Sequence, residues 1–312
     1  MSQFTKALID IPVLTRLWSK YPRTWKYLLN IGLLLKYKTF HFEKLPTRIK
    51  LPSSFELHIN SRENRGRALL ISNGITQLHV TSFWEKSIKE FSPTTVLDIG
   101  VNYGECLFSV SYPTDTKIYG IEANEQLMPF IEKSLACHPN QRNITIIHAF
   151  ASSQEKQTQE FYVDTNWSGT SSGKQIYSET VEKYMVQTIT VDSLFQTHDL
   201  SHEKILFKID VEGFEAFVLE GMKQVIQNCK DMLGIIEFDS VYIQNAGTDI
   251  DTFLDILSKN FHVYIMESTG AIQLLSQVTM DKLQKTLHSK EIHTDLVLAT
   301  KELDFFPFKG KD

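Results

Sequence analysis

The sequence predicts an α/β fold built on a doubly wound, largely parallel sheet, and three observations lead to this prediction. From about residue 90, short apolar runs alternate with amphipathic segments, which is the pattern of βα units. Two glycines, Gly100 and Gly104, directly follow the first run, where a tight turn would begin the next helix. The chain has 312 residues, 42% of them hydrophobic, so it can bury a large core.

Seven apolar runs are the candidate strands, and helical patterns lie between them. The runs cover residues 95–100, 117–123, 144–150, 204–210, 233–239, 261–267 and 295–300. The alternation breaks at an insertion, about 151–203, where "QEFYVD" and "YMVQTITVDSLF" predict a hairpin. Between these two strands lies a loop rich in Gly, Ser and Thr, "NWSGTSSGK".

The first 50 residues differ in charge from the rest and are predicted to form a basic helical extension to a domain spanning 51–312. They contain ten Lys or Arg and two acids, a balance of +8, whereas the remaining residues carry 22 against 35, a balance of −13. Such a segment could contact an anionic membrane surface or an anionic glycan. The alternative is a helix whose Trp and Leu face packs on the core while its Lys face is solvated.

Several classes of protein are excluded by composition. Cys106, Cys137 and Cys229 form no CxxC motif, so neither a disulfide framework nor a structural zinc site is predicted. No apolar run reaches the roughly 20 residues of a membrane span. We expect a cytoplasmic protein, peripheral to the inner membrane face if the extension binds lipid, and without a nucleic-acid partner.

The glycine loop indicates a ligand that contains adenosine. "VLDIGVNYGE" lacks the Lys and Ser or Thr of a P-loop and does not match the GxGxxG fingerprint. The second strand ends in Glu122, where an acid can accept hydrogen bonds from both ribose hydroxyls. A pyrophosphate would not suit the acid Asp98 at the loop entrance, whereas the cationic methionine end of S-adenosylmethionine would. This favours S-adenosylmethionine over NAD, and a tight turn without a ligand is the alternative.

The chain resembles the FkbM-type S-adenosylmethionine-dependent methyltransferases over roughly residues 90–300. The resemblance rests on "VLDIGVNYG", "IYGIEANE", "VQTITVDSLF", "KIDVEGFEAFVLEGM" and "IIEF", in the family's order and approximate spacing. Val101 stands where the family often has Ala, and "EANE" lacks a common proline. The resemblance implies a Rossmann-like sheet of seven strands in the order 3-2-1-4-5-7-6, the last antiparallel, and methyl transfer to a hydroxyl.

The resemblance also implies roles for individual residues of the cofactor site. Asp98, Gly100, Asn102 and Gly104 would line the methionine end of the cofactor. Glu122, with Ala123 beside it, would hold the ribose. Ala149 and Phe150 would line the adenine region. For Asp192, which matches the family's "LD" acid, we expect a structural hydrogen-bonding role.

Three acids at the ends of neighbouring strands are the candidate catalytic residues. Asp210 ends the strand predicted beside the glycine loop and is the first candidate for a general base, with Glu212 and Glu237 next. Asp210 and Glu237 could instead hold Mg²⁺. Capping of the following helix is the alternative role, above all for Glu215. His148 is predicted to lie on the adenine side or in the core.

The loop of the insertion is the candidate substrate cover. Trp167 could stack on a sugar ring, and Ser171 and Ser172 supply polar contacts. A surface turn without substrate contacts is the alternative.

Together these features predict an O-methyltransferase that acts on a sugar, glycan or glycosylated small molecule. One alternative is an N-directed or protein-directed methyltransferase of the same fold. The other is a catalytically silent adenosyl-binding scaffold in polysaccharide assembly.

Overall fold

The structure is a computed structural model that describes residues 22–39, 41–164, 168, 171–174, 181–267 and 269–307. The strands are β1 Arg48–Lys50, β2 Glu56–His58, β3 Thr95–Ile99, β4 Lys117–Glu122, β5 Ile144–His148, β6 Phe150–Ala151, β7 Thr158–Asp164, β8 Val181–Ile189, β9 Lys204–Ile209, β10 Asp231–Asp239, β11 His262–Met266, β12 Ile272–Leu274 and β13 His293–Ala299. The α-helices are α1 Pro22–Tyr37, α2 Asn64–Ile71, α3 Leu78–Phe91, α4 Met128–Ala136, α5 Glu215–Glu220, α6 Lys223–Asn228, α7 Ser240–Asn245, α8 Ile250–Asn260 and α9 Met280–Leu287.

The predicted α/β class is confirmed by one large mixed sheet. Its strand order is β12-β11-β13-β10-β9-β3-β4-β5. Strands β3, β4, β5, β9 and β10 pair in parallel, whereas β13 is antiparallel to both β10 and β11. When the seven strands from β5 to β11 across the sheet are numbered in chain order, they follow the predicted order 3-2-1-4-5-7-6. Strand β12 is an eighth strand at the edge of the sheet. The prediction of seven strands lacks it, because a strand of three residues is too short to show a sequence pattern.

Apolar side chains fill both faces of the sheet, which explains why the central strands are continuous apolar runs. All five residues of β3 are buried. Val96 belongs to one apolar cluster and Leu97 to the other, because successive side chains of a strand point to opposite faces. Because both faces are covered by apolar side chains, polar side chains of these strands lie at the rim, where the strands end.

The insertion forms its own small sheet beside the large one. Strands β7 and β8 pair as the predicted antiparallel hairpin, and β6 pairs in parallel with β8. Phe150, Phe161 and Phe214 join in a third apolar cluster that attaches this hairpin to the loop after β9.

Helix α1 of the basic extension packs on the domain. Leu29 and Leu33 are buried in the same cluster as Leu69 of α2. Lys36 is half-buried and bonded to the domain, whereas the packed-helix interpretation expected its Lys face to be solvated. Its ammonium donates to the carbonyl oxygens of Leu70 (2.5 Å) and Ile71 (3.1 Å). None of the described helices is both long and apolar enough to cross a membrane.

Candidate active site

The loop after β3 has a backbone shape that requires glycine. Gly100 has φ +83°, and a Cβ there would lie 1.8 Å from the carbonyl oxygen of Asp210. Gly104 also has φ +83°, and its Cβ would meet the ring of Phe108 at 2.3 Å. Asn102 between them is left-handed at φ 51°. The loop therefore passes directly against the end of β9.

Glu122 joins this loop to the end of β4. Its two carboxylate oxygens accept hydrogen bonds from the backbone N–H groups of Asn102 (2.6 Å) and Asn124 (2.8 Å). Burial raises the pKa of this carboxyl group. Each carboxylate oxygen retains a second lone pair, so Glu122 can still accept from hydroxyl groups in the adjoining cavity.

Lys208, the last residue but one of β9, is a site residue that the sequence reasoning missed. Its Nζ lies 3.1 Å from Oδ2 of Asp210 and 3.5 Å from Oδ1 of Asp98, and it donates to the carbonyl oxygen of Gly100 at 3.1 Å. Burial opposes its charge, but the two carboxylates outweigh burial and raise the pKa of Lys208. A lone Lys within the apolar run "ILFKI" was the available signal, because a buried lysine requires a partner.

Asp98 is buried to 1% exposure beneath the glycine loop. Burial raises the pKa of this carboxyl group to about 6, although the ammonium of Lys208 lowers it. The ammonium of Lys208 lies 3.5 Å from its Oδ1, which has no closer donor among the described residues. Asp98 is therefore a carboxyl group that a nearby cationic ligand would convert to the charged form.

The predicted acids converge at the rim. Asp210, Glu212 and Glu237 each place one carboxylate oxygen within 4.8 Å of the others. Burial favours the neutral form of Asp210, but Lys208 outweighs burial, so the pKa of Asp210 lies below its ordinary value. Burial first, and the neighbouring carboxylates second, hold the pKa values of Glu212 and Glu237 well above the ordinary range. Asp210, favoured from the sequence as the base, is thus the weakest base of the three.

These three carboxylates do not suit Mg²⁺ well. The number of ligands does not decide this, because Mg²⁺ is commonly held by one or two carboxylates with waters completing its octahedron; the neighbouring positive charge does. The ammonium of Lys208 already lies against Asp210 and repels a second cation. We therefore consider the carboxylates as acids and bases in their own right, without a metal ion.

Two histidine–carboxylate pairs extend the rim. His293 Nδ1 lies 3.0 Å from Oδ2 of Asp239 and 3.9 Å from Oε1 of Glu237. His79 Nε2 lies 2.9 Å from Oδ2 of Asp295. The hydrogen bond to Asp239 raises the pKa of His293. Sequence reasoning missed His293 because β13 begins two residues before the predicted strand.

A second wall of the site comes from residues that precede the predicted βα units. Arg65 of α2 donates to Glu105 Oε2 (2.9 Å) and to Thr76 Oγ1 (2.7 Å). Glu63 accepts from the backbone N–H (3.1 Å) and the hydroxyl (2.6 Å) of Ser168, and from the hydroxyl of Tyr103 (2.9 Å). Glu63 therefore fastens the loop of the inserted hairpin to this wall.

Most of these groups, though not Glu63, line one cavity of about 1270 Å³. The predicted residues that line it are Asp98, Gly100, Asn102, Glu122, Ala123, Ala149, Phe150, Ser171, Asp210, Glu212 and Glu237.

Several residues considered in the sequence analysis do not line this cavity. Gly104 shapes the loop behind the cavity wall, and the Ser172 hydroxyl donates to the carbonyl oxygen of Glu212 at 2.9 Å. His148 is exposed, with Nε2 3.1 Å from the carbonyl oxygen of Ala123. Asp192 accepts from two backbone N–H groups at the start of α6, the expected structural role. Trp167 lies outside the described residues.

A glycine loop and a following acid, at the carboxyl ends of a doubly wound sheet, define an α/β enzyme of the adenosine-binding class. The family model of the FkbM methyltransferase domain matches residues 98–264, which is more than half of the chain. The chain belongs to the FkbM methyltransferase family and is an S-adenosylmethionine-dependent methyltransferase.

Solved structures with a similar arrangement include methyltransferases of several kinds. The precorrin-6y C5,15-methyltransferase of Geobacter metallireducens is 12% identical, with a TM-score of 0.38 over 73% of this chain and 90% of its own. An O-methyltransferase of Bacillus cereus in complex with SAH is 11% identical, with a TM-score of 0.38 over 70% of this chain and 79% of its own. No curated protein sequence matches this chain significantly.

Proposed function

We propose that this methyltransferase transfers the methyl group of S-adenosylmethionine to a hydroxyl oxygen of a sugar, a glycan or a glycosylated small molecule. One observation carries the proposal: three partly buried carboxylates, Asp210, Glu212 and Glu237, converge next to the glycine loop, and the pKa values of the two glutamates are raised. A hydroxyl has to lose its proton as its oxygen attacks the methyl carbon, so it requires a base. A neutral amine requires none.

Glu237 is the proposed base. It lines the cavity at the end of β10, and its Oε2 is buried and accepts no hydrogen bond from the described residues. In its ionised form Glu237 is a stronger base than Asp210, because its pKa is raised whereas the ammonium of Lys208 lowers that of Asp210. In this arrangement the hydroxyl proton passes to Glu237 as the oxygen–carbon bond forms and the carbon–sulfur bond breaks. S-adenosylhomocysteine then leaves.

The cofactor side of the site has three further parts in this proposal. Glu122 accepts from the ribose hydroxyls, and Ala149 and Phe150 line the adenine region. Asp98 faces the cationic methionine end. Alignment of the acceptor oxygen, methyl carbon and sulfur supplies the larger share of the rate, because methyl transfer is an in-line displacement.

The test is a transfer assay with methyl-labelled S-adenosylmethionine and fractionated glycans and glycosides, with the product linkage assigned by mass spectrometry and NMR. Glu237→Gln should lower kcat by about 10²-fold or more with little change in cofactor affinity, since general-base help contributes about 10²–10⁴-fold. EDTA should leave turnover unchanged. Asp255→Asn, which removes an exposed carboxylate of α8, is the matched control.

Three results would contradict the proposal in different ways. Methylation of amines or protein side chains, but of no hydroxyl compound, would support the N-directed alternative. Cofactor binding with no transfer to any fraction would support the silent scaffold. Full turnover by Glu237→Gln on the true acceptor would remove Glu237 as the base. Loss of turnover with EDTA and its recovery with Mg²⁺ would restore the metal alternative.

A further inference from the structure

Helix α1 is apolar on two opposite sides, and only one of them is covered by the described part of the chain. Leu29 and Leu33 are buried against the domain. Tyr27, Ile31 and Leu35 are 71%, 52% and 51% exposed. Residues four apart lie on one face of a helix, and at about 100° per residue these three lie opposite the buried pair. We call Tyr27, Ile31 and Leu35 the apolar stripe.

The apolar stripe lies within the most basic part of the sequence. Residues 16–38 contain no acid and six Lys or Arg, of which all but Lys36, bonded to α2, count toward attraction to an anionic surface. The whole chain carries a net charge of −5. An acidic body is repelled by an anionic surface, so this segment is where such a surface would be attracted.

The helix is fixed firmly enough to present the stripe without unfolding. In addition to its bonds to two carbonyl oxygens of α2, Lys36 Nζ donates to Oδ1 of Asn73 at 2.5 Å. Gly32 allows close packing, because a Cβ there would lie 3.0 Å from Cδ1 of Ile71. Helix α2 in turn presents Arg65 and Ala68 to the cavity, so α2 is a direct structural link between α1 and the active site.

We propose that the apolar stripe and the surrounding basic residues dock this enzyme on an anionic lipid membrane surface. A stripe of one aromatic and two aliphatic side chains on a 16-residue helix with flanking Lys and Arg matches a helix that lies in the membrane interface. Attraction to anionic lipid adds about 1 kcal/mol per basic residue near the surface. We therefore expect binding to need both the apolar stripe and the basic residues around it. The inference is independent of which acceptor the enzyme methylates.

The test uses the full chain in co-sedimentation with extruded phosphatidylcholine vesicles, with and without 30% phosphatidylglycerol. We expect binding to the anionic vesicles that weakens between 50 and 500 mM NaCl, because salt screens exposed charges. The triple variant Tyr27→Ser, Ile31→Ser, Leu35→Ser should bind at least about tenfold more weakly, because it loses the apolar area that the stripe would bury in the membrane. Met185→Ser, which removes a side chain that is 59% exposed on β8, is the matched control.

Unchanged S-adenosylhomocysteine affinity in the triple variant shows that it is folded. The proposal is overturned if the wild-type chain binds neither vesicle, or if the triple variant binds anionic vesicles as well as the control does. Loss of a dimer in light scattering, without vesicle binding, would assign the stripe to a second copy of the chain. Binding to a soluble anionic polysaccharide but not to vesicles would assign the basic segment to a glycan. If the wild type does not bind vesicles and the triple variant has a lower thermal midpoint, the occupant of the stripe would be residues 1–21 of the same chain.

Discussion

The pH dependence of cofactor binding is expected to be controlled by Asp98. Burial raises the pKa of this carboxyl group from the ordinary value of 3.8 to about 6. The methionine end of the cofactor carries an ammonium group, which the ionised carboxylate attracts and the neutral acid does not. Affinity should therefore be full above pH 7 and should fall as Asp98 is protonated. Asp98→Asn should remove this dependence by holding the position neutral.

The magnitude follows from the titration of one group. With a pKa of about 6, Asp98 is about 90% ionised at pH 7 and about 10% ionised at pH 5, so affinity should fall about tenfold across this range. Lys208 and Asp210 face Asp98 directly, and both keep their charge throughout the range, because their pKa values are displaced away from it.

The assay is isothermal titration calorimetry with S-adenosylhomocysteine at half-unit steps from pH 5 to pH 7, at constant ionic strength. The wild type should show the tenfold fall, and Asp98→Asn should bind at one weak, pH-independent affinity. An equal slope in both proteins would refute the reasoning and point instead to Glu122, whose pKa burial also raises.

The sign of the linked stability effect provides a second measurement. Because the folded pKa of Asp98 is above its unfolded value, the neutral form stabilises the cofactor-free fold below pH 4, and that stabilisation is lost as pH rises through about 6. The upper limit is about 3 kcal/mol, from 1.36 kcal/mol per pKa unit. The free energy of unfolding of the wild type should therefore decline relative to Asp98→Asn between pH 4 and pH 7.

Two further predictions concern the loops. Glu122→Ala should weaken S-adenosylhomocysteine binding by about 1.5–3 kcal/mol for each charged hydrogen bond lost, measured by calorimetry against Glu125→Ala; equal affinities would reject the ribose role. Glu63→Ala should speed hydrogen exchange at the Ser168 amide, because its buried acceptor is removed at a cost of about 1–3 kcal/mol. Unchanged exchange, with Glu56→Ala as the control, would show that Glu63 does not hold this loop.

Much of the cofactor side could be predicted because its signals are local in sequence. Residues 95–122 contain a buried strand, its glycine turn and the acid at the end of the next strand. Each of these features can be recognised from residues that are close together in the sequence. Parallel strands bring their carboxyl ends to one rim, which is why Asp210 and Glu237 were expected together. Short elements such as β12 leave no such pattern.

The partners that set the acidity of the rim could not be predicted, because they come from distant parts of the chain. Asp239 faces His293 across the pair β10–β13, a contact that depends on register. His79 reaches Asp295 from α3, which lies before the predicted alternation. Only the packed fold brings His293 close enough to Asp239 for its pKa to rise, and His79 within hydrogen-bond distance of Asp295.

The contacts explain why so many acids follow β9. Asp210 is the counter-ion of Lys208, and Glu215 holds the loop by accepting from the backbone N–H groups of Val211 (3.0 Å) and Gly213 (3.1 Å). Burial first, and then the carboxylates of Glu212 and Asp210, raise the pKa of Glu237, because a further negative charge in this cavity is costly. Lys208 thus keeps Asp210 ionised, and the charge of Asp210 favours proton uptake by Glu237. Lys208 joins this arrangement to the cofactor side through Asp98, so removal of its charge should alter both the acidity of the rim and cofactor binding.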